Sequence, residues 1–348
     1  MQELGQRMRQ HGVRDIFFVH GTFAGYDPLG IFLDGYDGGF YRQLVGQIAS
    51  MLLPGGIAQL QGWIKQGIDA RVGDMGNFLR SYVETCAERL DNDVCRTRVP
   101  FDWSGANLHG ARLDATVRLA GTVARSIKSN AIHADERVLL IGHSHAGQLF
   151  ALLTHFLQDT GPAGALMADV QREMRAAFVE DLNVIRGVWL DFVTYGTPVR
   201  YRWARYAKLR LLPIINHRSE ARLDFRAIYD VADGDYIQQW GTEGTNLPSS
   251  SQIEQRLSAV LNDAGFDLAK ILAMARKSLG GLPQPRMEHQ YPDGERVAPN
   301  LLIDYRDQRP AGNRDPLYCG HVLLGHGAYT TFANMECSTR AIADMLYA

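Results

Sequence analysis

The chain has 348 residues, of which 46% are hydrophobic and 21% are charged, close to the average of soluble globular proteins. This composition excludes a disordered chain, a collagen-like fibre and a small disulfide scaffold. Because 36 basic and 38 acidic side chains leave a net charge of −2, the chain lacks the basic field of a non-specific nucleic-acid binder, and we predict no nucleic-acid partner. The four cysteines form no C-x-x-C pair, so we predict no metal site.

Two further absences concern membranes and export. No apolar run reaches the roughly 18–20 residues that a membrane-spanning helix requires. Residues 1–15 are polar throughout and contain no apolar core of a secretory signal. We therefore expect a cytoplasmic protein, while secretion by a route without a signal peptide stays open.

Short apolar runs alternate along the chain with segments of helical periodicity. In chain order, the predicted strands are 16–19, 98–101, 138–141, 188–195, 225–230 and 301–305. The predicted helices are 110–129, 148–159, 170–181, helices within 253–278, and the tail after residue 334. Strands separated by helices imply right-handed crossovers, so the fold class is α/β with a mostly parallel sheet covered on both faces.

Two segments do not fit this alternation. Residues 39–89 carry helical spacing broken by glycines, and we interpret them as a helical insertion at the active-site edge of the sheet. This insertion could open as a lid over a lipid, although packing on the sheet is the favoured interpretation. Residues 199–222 form a candidate small cap. Within them, 201–210 is basic with interleaved aromatics, which suits an anionic lipid surface or, as we favour, charges facing water above an inward-packed Trp203 and Tyr206.

The most informative stretch is VLLIGHSHAGQL, residues 138–149. A strand, a small-residue turn and a helix are the context required of a nucleophile elbow, in which a strained turn presents Ser144 above the sheet. Gly142 and Ala146 must be small because larger side chains would collide across so sharp a turn. The usual pattern is G-x-S-x-G, whereas here Ala146 takes the last position and Gly147 follows.

With this motif, the chain resembles an α/β-hydrolase of the lipase and esterase kind. Residues 17–23 (FFVHGTF) resemble the His-Gly loop of the oxyanion hole, residues 194–198 (TYGTP) resemble a turn after the next strand, and residues 101–105 (FDWSG) resemble a W-S-G turn. The resemblance implies a single α/β-hydrolase domain over residues 1–348. Because only fifteen residues precede Ile16, it also implies a reduced sheet of about six parallel strands.

The resemblance further implies a triad in the chain order serine, acid, histidine. The acid follows the fifth predicted strand, where Asp233 before a glycine is favoured, Asp235 is second and Asp230 is third. The base follows the last strand, where His326 in G-H-G-A-Y fits the family's loop better than His321, which precedes an apolar run.

These residues imply hydrolysis of carboxylic esters through a Ser144 acyl-enzyme, with oxyanion donors at the backbone of His145 and of Thr22 or Phe23. The substrate would be a small-molecule ester or a lipid met in transient contact with a lipid surface, and neither a cofactor nor a protein partner is implied. A metal pair formed by His143 and His145 is disfavoured because alternate positions around the turn point in different directions.

Three alternatives stay open on the same sequence. A phospholipase acting on membrane lipids would use the same residues with a different substrate. An acyltransferase or thioesterase would use the same acyl-enzyme with a different acceptor or leaving group. A catalytically inactive binding module is disfavoured, because a serine, a candidate acid and a candidate base all occur in the required order.

Overall fold

The computed structural model describes residues 1–22, 78–91, 93–159, 162–217, 234–241, 246, 251–262, 286–305 and 325–348, with the single positions 267, 269 and 273. Most of the predicted insertion, residues 39–89, lies outside this part of the chain, and so does the predicted strand at 225–230. The candidate site residues Phe23, Asp230, Asp233 and His321 also lie outside the described residues.

A parallel sheet forms the centre of the described structure. Its strands are β1 (Val13–Val19), β2 (Arg137–His143), β3 (Trp189–Tyr195), β4 (Leu209–Asn216) and β5 (Leu301–Ile303). They lie in the order β1-β2-β3-β4-β5, and every neighbouring pair is parallel. The predicted mostly parallel α/β sheet is therefore confirmed, with five strands in the described residues. The predicted strand at 98–101 contributes a single parallel bridge, from Phe101 to Val19.

Strand β4 lies within residues 199–222, where the sequence predicted a small cap. Its eight residues lie between β3 and β5, in the interior of the sheet. The sequence conceals this strand because Arg210 is charged near its start and Pro213 interrupts its apolar run, and proline is disfavoured in a central strand. The proline is tolerated here because pairing with β5 begins only at Ile214, one residue later.

Helices cover both faces of the sheet, and alternate strand side chains divide between the two faces. On one face, Phe17, Leu140 and Phe192 belong to an apolar core with the first set of helices. These helices are α3 (His109–Ser129), α4 (Ala146–Gln158), α5 (Ala163–Asp169), α6 (Arg172–Ile185) and α8 (Gln252–Leu261).

On the opposite face, Phe18, Ile141 and Val193 belong to a second apolar core. The helices of this core are α1 (Gln2–Gln10), α2 (Arg80–Leu90) and α9 (Met335–Leu346). The short helix α7 (Tyr236–Trp240) and two 3₁₀ turns, Ala328–Thr330 and Phe332–Asn334, complete the described elements. In the part of the chain that the structure describes, no helix is both long and apolar enough to cross a bilayer.

Two arginines of the basic segment 201–210 pair with acidic side chains. Arg205 pairs with Asp293 at 2.7 Å and also with Glu295, and Arg210 pairs with Asp191 at 2.7 Å. Trp203 is fully buried in the first core. The inward-packed interpretation is therefore correct for the tryptophan, and two of the four basic side chains of the segment are paired with carboxylates.

Asp191 on β3 provides a test of how the sheet is held to the C-terminal helix. This buried carboxylate accepts hydrogen bonds from Arg210 at 2.7 Å and from the Tyr347 hydroxyl at 2.8 Å. Because Asp191→Asn leaves a partly buried guanidinium without its counter-charge, we expect the free energy of unfolding, measured by urea titration, to fall by about 3 kcal/mol.

The matched control is Glu336→Gln, which breaks the exposed i,i+4 pair of Glu336 with Arg340. This control should change the free energy of unfolding by less than about 0.5 kcal/mol. Equal losses in the two variants would show that the Asp191 cluster does not stabilise the fold.

Candidate active site

Ser144 lies in a sharp turn between the end of β2 and the start of α4. Its φ of +54° is in the left-handed region, which is strained for a residue other than glycine and is common at functional sites. Two hydrogen bonds impose this conformation. The backbone N–H of Ser144 donates to the Tyr195 carbonyl at 2.8 Å, and the Thr197 hydroxyl donates to the Ser144 carbonyl at 2.6 Å.

Small residues surround the turn because there is no space for larger ones. A Cβ on Gly142 would lie 3.0 Å from the Cβ of Ala146 and 2.6 Å from the Phe150 ring. A Cβ on Gly147 would lie 2.5 Å from the side chain of Thr197. The glycine after Ala146 therefore makes room for the threonine of the TYGTP turn, a long-range contact that the motif alone does not reveal.

The His-Gly loop after β1 lies directly against the serine, since a Cβ on Gly21 would approach the Cβ of Ser144 to 2.6 Å. Trp103 of the W-S-G turn holds this loop. Its backbone N–H donates to His20 Nε2 at 3.2 Å, and its indole N–H donates to the His20 carbonyl at 2.9 Å. His20 therefore carries its proton on Nδ1, which donates to the Gly21 carbonyl at 2.8 Å. The buried hydroxyl of Thr22 has no hydrogen-bond partner among the described residues.

The structure brings His326 and Asp235 together. His326 Nδ1 lies 2.9 Å from Asp235 Oδ2, and both side chains are buried. The acid that contacts the histidine in the described residues is therefore Asp235, which the sequence ranks second. Asp233, which the sequence ranks first, lies outside the described residues. His326 Nε2 is buried and has no hydrogen-bond partner in the described part of the chain, which leaves it available as a proton acceptor.

The loops that carry these two residues meet at the end of β4. Asn216 accepts the backbone N–H of Asp235 at 2.9 Å, and its side-chain amide donates to the Gly325 carbonyl at 3.0 Å. Gly325 has a φ of +82°, and a Cβ there would collide with the Gly234 carbonyl. Two glycines thus allow the acid loop and the base loop to touch.

Asp235 has an environment that keeps it ionised. Its Oδ2 also accepts the Tyr329 hydroxyl at 2.7 Å, and its Oδ1 accepts the backbone N–H of Gln238 at 2.8 Å. Burial alone raises the pKa of Asp235, but the charge and hydrogen bond of His326 and the nearby Arg286 guanidinium outweigh burial, so the pKa falls below its ordinary value.

Sequence reasoning assigned no role to Tyr329 or Arg286. Tyr329 lies three residues after His326 in the same G-H-G-A-Y motif, and this position is the sequence feature that could have identified it. Burial raises the pKa of Tyr329 well above its ordinary value, so the phenol stays protonated and donates to the carboxylate. Arg286 donates to the Asp235 carbonyl from a distant segment that carries no recognisable motif.

The two histidines beside Ser144 face different partners. His143 Nε2 lies 2.9 Å from the His326 carbonyl, and the two rings are 4.4 Å apart between centroids. This contact joins the base loop to the residue that precedes Ser144. His145 Nδ1 instead lies 3.1 Å from Arg112 Nη2. Among the described residues, no group of three or more histidine, cysteine or acidic side chains could hold a metal ion.

Comparisons of the chain with protein-family models, with curated proteins and with solved structures find no match. A function for this protein is therefore inferred from the residues of the site and their geometry.

Gly196 in the TYGTP turn tests how the acid is placed. Its φ is +56°, and a Cβ would collide with Asp235 Oδ2 and lie 2.8 Å from the Tyr329 ring. Gly196→Ala should therefore displace the carboxylate and lower the free energy of unfolding by about 1–3 kcal/mol. We expect the downfield proton resonance of the His326–Asp235 hydrogen bond to disappear from the NMR spectrum.

Gly164→Ala in α5 is the control, since a Cβ there meets nothing within 4 Å. An alanine inside a helix should stabilise the protein by about 0.5–1 kcal/mol and leave the downfield resonance in place. Retention of that resonance in Gly196→Ala would contradict the tight packing of the acid against the turn.

Proposed function

We propose that this protein is a serine hydrolase of the α/β-hydrolase fold that cleaves carboxylic esters through a Ser144 acyl-enzyme. The observation that carries the proposal is the His326–Asp235 pair at 2.9 Å. Within the described structure His326 Nε2 has no hydrogen-bond partner, and the His326 carbonyl contacts the residue before Ser144. A nucleophile, a base within the same site and a carboxylate that orients the base are the three parts this chemistry requires.

The first half of the reaction acylates the serine. Ser144 Oγ forms a bond to the ester carbonyl carbon while its proton passes to His326 Nε2, and the carbonyl electron pair moves onto oxygen. The oxyanion then re-forms the carbonyl, the bond to the alcohol oxygen breaks, and that oxygen takes the proton from His326. Water repeats the sequence on the acyl-enzyme, which releases the acid and restores Ser144.

Backbone N–H groups next to Ser144 would donate hydrogen bonds to the oxyanion. His145 stands at the start of α4, where free N–H groups and the helix dipole favour negative charge. Gly21, which precedes Thr22, also lies directly against the serine. Each hydrogen bond donated to the oxyanion lowers the activation free energy by about 3–4 kcal/mol.

Asp235 would fix the imidazole of His326 and stabilise its charge. Because the carboxylate accepts from Nδ1, the neutral ring keeps Nε2 free to take the serine proton. When that proton arrives, the imidazolium is paired with a buried carboxylate already ionised by its surroundings. Tyr329 and Gln238 hold the carboxylate in this orientation.

Hydrolysis of p-nitrophenyl esters over a range of acyl lengths tests the proposal. Ser144→Ala should abolish turnover, and His326→Ala should lower kcat by about 10³-fold or more. Asp235→Asn should lower kcat by about 10³–10⁴-fold because the amide can no longer hold the productive tautomer.

Asp233→Asn is the matched control, two positions earlier in the sequence, and should leave kcat within about threefold of the parent, because the proposal gives Asp233 no part in the reaction. Activity that survives in Ser144→Ala would overturn the mechanism. A large loss in Asp233→Asn with none in Asp235→Asn would return the acid role to Asp233.

A further inference from the structure

A buried arginine lies beside the residue that follows Ser144. Arg112 on α3 is fully buried, and its two terminal nitrogens contact neutral acceptors. Nη1 donates to the Tyr201 hydroxyl at 2.8 Å and to Asn246 Oδ1 at 2.9 Å. Nη2 donates to Asn107 Oδ1 and lies 3.1 Å from His145 Nδ1.

The contact with Arg112 decides the tautomer of His145. A guanidinium has only donors and remains charged at every accessible pH. Nδ1 of His145 must therefore be the acceptor, which places the single ring proton on Nε2. An imidazolium at this position would direct an N–H at the guanidinium, so the same contact disfavours protonation of the ring.

Residues of several helices and loops fix the surroundings of Arg112. Glu254 on α8 accepts the backbone N–H groups of His109 at 2.8 Å and of Gly110 at 2.6 Å, at the start of the arginine's own helix. His109 Nδ1 lies 2.6 Å from the Tyr201 hydroxyl that also accepts from Arg112. Because these contacts fix the helix start and one of the acceptors of Arg112, the guanidinium cannot easily follow a displaced His145.

Burial and the charged groups around His145 all lower the pKa of its ring. Burial, followed by the charges of Arg112 and Arg200, lowers the pKa of His145 well below its ordinary value. His326 from the base loop and His143 from β2 lower it further, so four charged or titratable side chains of the described residues act on the ring. A neutral ring at position 145 is thus consistent with both the geometry and the charges.

We infer that Arg112 is a positioning residue for the proposed ester hydrolysis. Its guanidinium holds His145 as the neutral tautomer protonated on Nε2, so that His145 adds no positive charge beside His326 when His326 takes the proton of Ser144. The inference rests on the proposed function for its role in catalysis. The tautomer itself follows from the geometry alone.

Imidazole ¹⁵N NMR of the whole protein tests the tautomer without reference to activity. The His145 signals, assigned by their loss in His145→Gln, should show a neutral ring with the proton on Nε2 throughout the range from about pH 5 to pH 8. In Arg112→Met, the ring should titrate within this range or change tautomer. An Nδ1-protonated or charged His145 in the parent protein would overturn the inference, even if esters are hydrolysed.

The catalytic consequence is tested by the pH profile of kcat/KM. Between about pH 8 and pH 6, kcat/KM of Arg112→Met should fall about tenfold more than kcat/KM of the parent, because a newly titrating His145 opposes protonation of His326. Adding His145→Gln should remove this extra acid loss. An acid loss that persists in the double variant would reject the role in catalysis.

Arg118→Met is the matched control, since Arg118 lies on the same helix and pairs with Asp114 at 3.0 Å. It should leave the profile unchanged. If Arg112→Met does not fold, the parent spectrum still decides the tautomer. If no ester is hydrolysed by the parent protein, the proposed function fails, while the NMR result stands by itself.

Discussion

The structure of the site depends on one strained residue, Ser144, in the left-handed region between β2 and α4. Strain of this kind costs about 1–3 kcal/mol and persists only where the surroundings over-determine it. Here both backbone groups of the serine are bonded to the segment that ends β3, at Tyr195 and Thr197. Gly21, Gly142 and Gly147 leave room for this turn, because a Cβ on any of them would collide with a neighbouring residue. The sheet therefore fixes the backbone of Ser144, which is the preorganisation that the proposed nucleophilic role requires.

The loops that carry the proposed acid, Asp235, and the proposed base, His326, meet at the end of β4. Asn216 is hydrogen-bonded to Asp235 in one loop and to Gly325 in the other. Gly196 leaves the space that the Asp235 carboxylate fills. Parallel strands end at the same edge of a sheet, so residues far apart in sequence converge there. The cost of burying Asp235 is offset by His326, Tyr329 and a backbone N–H, which explains how a charged group can lie inside the protein.

Much of this arrangement could be predicted from local sequence. The strand, turn and helix around Ser144 carry a dense motif, and the amphipathic helices α3, α4 and α9 follow the expected periodicity. Strand β4 was missed because Pro213 and Arg210 disturb its pattern. The motif did not favour Asp235, because its contacts with His326 and with the space at Gly196 depend on how distant loops meet. The Arg112 contact with His145 joins two helices, and single-sequence patterns carry no information about such pairs.

Labelling with a fluorophosphonate, followed by peptide mass spectrometry, measures the central claim most directly. A serine activated by His326 should attack the phosphorus, displace fluoride and retain the phosphonyl group on a single peptide that contains Ser144. The account predicts one adduct at Ser144, which is lost when His326 is replaced by alanine. No adduct at this serine in the folded protein, or equal labelling without His326, would contradict it.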